Sequence, residues 1–154
     1  MDMDEFISRV QKIKASLYKI AFLYLGIENV ALDTLDEAVF KAMKSLNKLL
    51  HPEYFETWIT RILINECKKE LHRRKREIIF ETIPETSIED FDSLPLKEAI
   101  LRLPQELKEV IILRFFAGYT QTKTAESLNI PQGTVVTRQR RALKLLKLEL
   151  SEEE

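Results

Sequence analysis

The sequence predicts an all-α fold of two small helical domains joined by an acidic linker, and three observations carry that reading. Glycine is scarce, at 3 of 154 residues, while leucine, isoleucine, lysine and glutamate are abundant, which favours helices over a turn-rich β fold. Apolar residues recur at three- and four-residue steps on both sides of the chain's middle, the spacing that puts them on one face of a helix. Between Glu77 and Pro95 that period stops: Glu77, Glu81, Glu85, Glu89, Asp90 and Asp92 come with two prolines and no lysine or arginine. The expected organisation is residues 1–76, a linker at 77–95, and residues 96–154.

The elements follow in order. Phe6, Val10, Ile13, Leu17, Ile20, Ala21 and Tyr24 make one helical stripe, and Gly26 is placed to end it. Leu32, Leu35, Val39, Ala42, Met43 and Leu46 repeat the pattern in a second helix. Its outer face then carries Asp33, Asp36, Glu37, Phe40, Lys41 and Lys44, where Phe40 is conspicuous. Asn47 to Tyr54, with Pro52, reads as a loop. Phe55, Ile59, Ile62, Leu63, Cys67 and Leu71 mark a third helix that ends in a basic run. Beyond the linker, Leu96 to Leu103, Gln105 to Ala117, Gln121 to Leu128 and Gly133 to Leu148 are four more helices. Pro104, Gly118 and the Asn129–Pro131 turn separate them, and the Glu152–Glu154 tail is expected to fray.

Composition narrows the function. Two cores must be shared out of 45% hydrophobic residues, so each is modest. The formal net charge is −1, so nucleic-acid binding would have to rest on local charge; residues 1–76 and 96–154 each hold a small basic excess that the linker offsets. Cys67 is the single cysteine, which excludes an intramolecular disulfide and suggests a reducing compartment. No apolar run approaches the roughly 20 residues that span a bilayer, and the first residues are acidic rather than a basic signal region, so a cytoplasmic protein is expected.

The last two helices have the grammar of a helix-turn-helix. Gly118 stops the preceding helix, Thr120 can cap the next, Ala125 is small where two helices must approach, and Ile130 follows a short turn. In the final helix Val135, Gln139, Ala142 and Leu146 share a stripe, while Thr134, Thr137, Arg138, Arg140, Arg141 and Lys144 cover the rest. Arginine can grip a guanine edge or a phosphate, so this face suits a major groove; a merely solvated basic face is the bland alternative. On the third helix Trp58, Arg61, Asn65, Lys69 and His72 fall on one face and run into Arg73, Arg74, Lys75 and Arg76. Cations that follow phosphates, preceded by an aromatic and an amide that can hold unstacked bases, suit a single DNA strand. A core position for Trp58 and an interhelical hydrogen bond for Asn65 remain open.

The segments ALDTLDEAVFKAM, FETWITRILINECKKELHRRKR and LPQELKEVIILRFFAGYTQTKTAESLNIPQGTVVTRQRRALKLL resemble bacterial sigma-70-family sigma factors of the extracytoplasmic-function group, in order and spacing and over nearly the whole chain outside the linker. The resemblance implies a first domain that binds the clamp helices of the polymerase β′ subunit and reads the minus-ten element. It implies a second that reads the minus-thirty-five element. On the matching positions, Asp33, Asp36, Glu37, Phe40 and Lys41 would form the polymerase-binding face. The Asn47–Tyr54 loop with Trp58, Arg61 and Asn65 would capture a flipped base of the melted strand, and Lys68, Lys69, Arg73, Arg74 and Arg76 would hold phosphates. In the second domain Thr120, Gln121 and Lys144 would join the DNA surface, Thr134 and Arg138 would position the backbone, and Thr137, Arg140 and Arg141 would face base edges. The linker resembles the segment that family members thread through the polymerase. An anti-sigma partner, often membrane-anchored, is also implied.

This sequence departs from the family pattern at Asp36, at Lys123-Thr124 before Ala125, at Val136 and at Gln139. An unpaired buried amide costs about 1–3 kcal/mol, so Gln139 is expected to reach a backbone group or the domain edge. Two other readings compete: a sigma-like decoy that titrates an anti-sigma factor, and an independent helix-turn-helix regulator. An enzyme is not expected. His51 and His72 are far apart, and no nucleophile, phosphate loop or metal-ligand spacing is present, so no cofactor, metal or small-molecule substrate is implied.

Overall fold

A computed structural model describes residues 1–74 and 94–152, and among them every regular element is helical. The chain divides into two compact units, Met1–Phe80 and Glu81–Glu154. The first contains α1 (Met3–Leu25), α2 (Glu28–Lys44) and α3 (Phe55–Arg73), which all pack on one another. The second contains α4 (Leu94–Arg102), α5 (Gln105–Ile111), α6 (Gln121–Leu128) and α7 (Gln132–Glu152).

Helix α1 starts where the Asp2 carboxylate accepts a hydrogen bond from the Glu5 amide at 2.8 Å, and ends as expected at Gly26, in the left-handed region at φ 74°. Its expected stripe holds at Phe6, Val10 and Leu17, but from Ile20 onward the helix is buried all round, taking in Phe22, Leu23 and Leu25 as well. That end runs through the middle of the unit and has no solvent face.

The buried stripe of α2 lies about one position away from the expected one. Val30, Ala31, Thr34, Leu35, Ala38 and Ala42 are buried, whereas Leu32 and Met43 are 42% and 37% exposed. Three of these six are alanines, and a small side chain lets two backbones approach. The Asn47–Tyr54 loop is built from two short 3-10 turns, Leu46–Lys48 and Pro52–Tyr54. Arg9 of α1 donates to the Pro52 carbonyl at 2.7 Å and lies over the Phe55 ring, whose edge-on partner is Phe6. The loop and the start of α3 are thereby tied to α1.

In the second unit α4 begins at Leu94, two residues before the expected start. Pro95 therefore lies inside the first turn, where a missing N–H costs no hydrogen bond. The expected single helix from Gln105 to Ala117 changes at Ile112 into a π turn, Ile112–Phe116. The extra residue in that turn rotates Phe115 outward while Ile111, Ile112 and Leu113 stay buried. Gly118 at φ 72° stops it, and Thr120 caps α6 by accepting from the Lys123 amide at 3.0 Å. Asn129, at φ 56°, ends α6, and its left-handed conformation lets the Ile130 amide reach the Ala125 carbonyl at 3.0 Å. Helix α7 runs through Glu152, so that residue belongs to the helix rather than to a frayed tail; residues 153–154 lie outside the described chain. The core under this frame is Ile100, Leu107, Val110, Ile112, Leu113, Tyr119, Val135, Ala142 and Leu146.

The Thr124 hydroxyl is buried in this core with no hydrogen-bond partner among the described residues. Valine has the same shape without the polar group, so Thr124→Val is expected to stabilise the protein by about 1 kcal/mol. Thermal unfolding checks this; an unchanged or lower melting temperature would mean the hydroxyl is satisfied.

Candidate nucleic-acid interface

Helix α7 presents Thr137, Arg140, Arg141 and Lys144 on one exposed face, opposite the buried Val135, Ala142 and Leu146. Thr134, half-buried, flanks the same face, and the Thr137 hydroxyl donates to the Gly133 carbonyl at 3.1 Å. Among the described residues neither Arg140 nor Arg141 has a carboxylate partner, so both guanidinium groups stand open to a ligand. Thr120 is exposed with its oxygen engaged in the α6 cap, and Gln121 beside it is half-buried. Arg138 stands apart from the open face: its side chain is only 25% exposed and pairs with Glu106 at 3.5 Å and Glu109 at 4.0 Å. It fastens α7 to α5 as well as flanking the basic surface.

Gln139 is half-buried, and the partner it reaches is a side chain rather than a backbone group. Its Oε1 accepts from Arg114 Nε at 3.0 Å, and the same guanidinium donates to the Tyr119 carbonyl. An amide on the otherwise apolar stripe thus has a charged donor, which removes the cost of burying it. Arg114 ties the π turn, the Gly118 turn and α7 together and so fixes the angle at which α7 is offered. Sequence spacing gave no sign of this pair, because residues 25 apart meet across two helices. Lys123, one of the departures from the family pattern, lies with its ammonium 4.2 Å from the Tyr119 ring centroid.

On α3, Arg61, Asn65, Lys69, His72 and Arg73 are exposed, and Lys68 and Arg74 half-buried, so the basic track is on the surface. Asn65 is therefore not a buried interhelical amide. Trp58 is half-buried, with its ring 6.2 Å from that of Phe55. Arg76 lies outside the described residues. Sequence reasoning passed over two carboxylates on this helix. Glu70 accepts from Arg73 Nη2 at 2.6 Å and Arg74 Nε at 2.6 Å, and Glu66 pairs with Lys41 and, at 3.5 Å, with Lys69. The i,i+3 and i,i+4 spacings were visible in the sequence as a signal for the intrahelical pairs.

On α2, Asp33, Asp36 and Glu37 are exposed and Phe40 is 51% exposed, with the Lys44 ammonium 4.8 Å from its ring centroid. Lys41 does not stand free with them. It turns to Glu66 of α3, and that hydrogen bond, against the opposing effect of burial, raises its pKa above the ordinary lysine value. The pair's contribution to stability is present at neutral pH and fades only as pH rises through that raised value.

The Glu70 carboxyl is held below its ordinary value, chiefly by Arg73 and then by Arg74, with burial acting in the other direction. A lowered pKa stabilises the fold above the ordinary value of 4.5 and loses that contribution as pH falls through the lowered one. Glu70→Gln is therefore expected to lose less stability than wild type on acidification from pH ~7 to pH ~3. Denaturant midpoints across that range check it; parallel losses would show that the pairs contribute nothing measurable.

The pattern of sigma-70 region 2 matches residues 10–77, and that of sigma-70 region 4 matches residues 99–148. The RNA polymerase sigma factor SigV of Bacillus subtilis is 31% identical over 146 residues, which cover 92% of this chain and 88% of that protein. The ECF RNA polymerase sigma factor SigW of the same organism is 25% identical, with coverage of 97% and 90%. Among solved structures, the sigma factor RpoE in complex with the anti-sigma factor NepR from Bartonella quintana shares the fold, with a TM-score of 0.84 at 21% identity over 99% of this chain and 100% of that one. CnrH, in complex with the cytosolic domain of CnrY, gives 0.79 at 19% identity over 99% and 92%. With both regions present in order, and with the exposed basic face and helix-turn-helix frame that region 4 requires, the chain belongs to the sigma-70 family of RNA polymerase sigma factors, in its extracytoplasmic-function group.

Proposed function

We propose that this sigma factor binds core RNA polymerase through α2 and directs promoter-specific initiation, with residues 1–76 reading the minus-ten element, 96–154 the minus-thirty-five element, and 77–95 joining them. The observation that carries the proposal is the open face of Thr137, Arg140, Arg141 and Lys144 on a helix whose angle Arg114 and Gln139 hold. Arg141 and Arg140 read base edges with Thr137, while Lys144, Thr134 and the α6 N-terminus at Thr120 and Gln121 meet phosphates. Arg138 keeps its position beside the backbone by way of its acidic partners on α5.

In the first unit Phe40 is the apolar centre of the polymerase contact and Asp33, Asp36 and Glu37 its charged surround, with Lys41 setting the helix against α3. The Asn47–Tyr54 turns with Trp58, Arg61 and Asn65 hold an unstacked base, and Lys68, Lys69, Arg73, Arg74 and Arg76 follow the strand. The role is one of binding rather than catalysis. No helix among the described residues is long and apolar enough to cross a membrane, and a protein that serves RNA polymerase works in the cytoplasm. The RpoE neighbour is held by an anti-sigma factor, and a comparable inhibitor, in many cases membrane-anchored, would govern this chain in an envelope or stress response.

Run-off transcription with core polymerase from the same organism, on its own promoter fragments, tests the reading. The protein is expected to add discrete transcripts, and Arg141→Ala to weaken them through a loss of about 1–3 kcal/mol in promoter affinity. Core binding without transcripts would instead support the decoy, and a chain that does not bind core polymerase would sink the proposal.

A further inference from the structure

The basic track of α3 is already occupied. The Glu70 side chain, only 18% exposed, takes the Arg73 guanidinium in a two-point grip, at 2.6 Å from Nη2 and 3.2 Å from Nε, and Arg74 as well. Glu66 holds Lys69 and Lys41. These are the same donors that a phosphate would use, in the same forked geometry. Helix α7 differs, since Arg140 and Arg141 have no such partner among the described residues.

A cleft of about 200 Å³ between α2 and α3 brings the opposing charges together. Its wall includes Asp33 and Glu37 from α2, Glu66 and Glu70 from α3, and Lys69 with the two arginines. A DNA strand approaching Arg73 must displace one carboxylate and lie beside three more. The two acids from α2 also belong to the face assigned to polymerase, so the two binding surfaces meet in one cleft.

We propose that Glu70, with Glu66 beside it, is an internal competitor for promoter phosphates that keeps the α3 track masked until a cationic polymerase surface covers the acids of the cleft. The inference rests on the reading of α3 as a strand-binding track. A surface that meets Asp33, Asp36 and Glu37 must be basic, and its charges fall beside Glu66 and Glu70, where they offset the repulsion that DNA would meet. The coupling is reciprocal: polymerase raises the affinity of α3 for DNA, and DNA raises the affinity for polymerase by the same factor.

The test is fluorescence anisotropy of a labelled oligothymidine strand with the free full-length protein at low salt, with circular dichroism confirming that each variant is folded. Glu70→Gln is expected to tighten binding about fivefold, the order of one hydrogen-bonded ion pair at a surface. Arg73→Ala added to it should remove the gain. Glu37→Gln, at an exposed position that leaves packing untouched, should tighten binding by a smaller factor through the loss of repulsion alone. If both folded single variants bind as wild type does, the mask is refuted. Run-off transcription with Arg73→Ala/Arg74→Ala separates the two ideas. Lost transcripts together with unchanged Glu70→Gln binding would overturn the mask and leave the strand track standing, whereas unchanged transcripts would overturn both.

Discussion

Small residues on α2 set the geometry on which the first unit depends. Ala31, Ala38 and Ala42 are fully buried with Leu35, and they let α2 lie close against α1 and α3 at once. A bulkier residue at any of the three would push the helices apart. The close approach brings Lys41 within reach of Glu66, places Asp33 and Glu37 across a narrow cleft from Glu70, and leaves Phe40 no core to join. An exposed phenylalanine on a helix surrounded by acids is costly as a free surface and useful as a contact. The polymerase contact proposed for this face is a consequence of which side the alanines bury.

On the proposed reading the second unit faces a different problem, that of presenting a helix to a duplex at a fixed angle. A short core would leave α7 free to rock, and the unit answers with polar ties rather than more apolar area. Arg114 holds Gln139 and the Tyr119 carbonyl, and Arg138 holds Glu106 and Glu109, so two cations fasten the buried side of α7 while its other arginines stay open. Ion pairs at an exposed site are worth little in stability, but a charge partly withdrawn from water fixes orientation because few geometries satisfy it. The π turn belongs to the same arrangement. It adds a residue just before Gly118, which turns Phe115 outward and aims Arg114 at α7.

Much of this was legible in the sequence where the signal is local. Gly26, Pro104, Gly118 and Asn129 stop or start helices through backbone preferences that act within a few residues, and the Thr120 cap could be read from one hydroxyl before a helix. The hydrophobic pattern of α2 places its stripe wrongly because it weights large residues, whereas close helix packing selects small ones, so Leu32 and Met43 fit the pattern of a core and are exposed. The partners of Gln139 and Lys41 were not legible, since each lies 25 residues away on another helix, and no periodicity carries that information. Of the candidate site, the surface cations were legible; that Glu66 holds Lys41 and Lys69, and Glu70 holds Arg73 and Arg74, was not. Glu66 and Glu70 stand at the three- and four-residue spacings that pair them with Lys69, Arg73 and Arg74 on one helix face.

Those carboxylates also bear on the near-neutral charge of a chain that must handle a polyanion. A formal net charge of −1 gives the free protein little long-range attraction for DNA. That is a liability for an independent DNA-binding regulator but suits a subunit whose polymerase supplies most of the electrostatic pull. A strongly basic free sigma factor would spread over non-specific DNA, where affinity comes almost entirely from phosphate contacts and counterion release. The proposed mask would avoid this without giving up the cations, because an arginine held by a neighbouring glutamate remains ready for a phosphate once that glutamate finds another positive partner. On the proposed mask, the acids of this chain are part of its DNA-binding apparatus: they decide when the bases act.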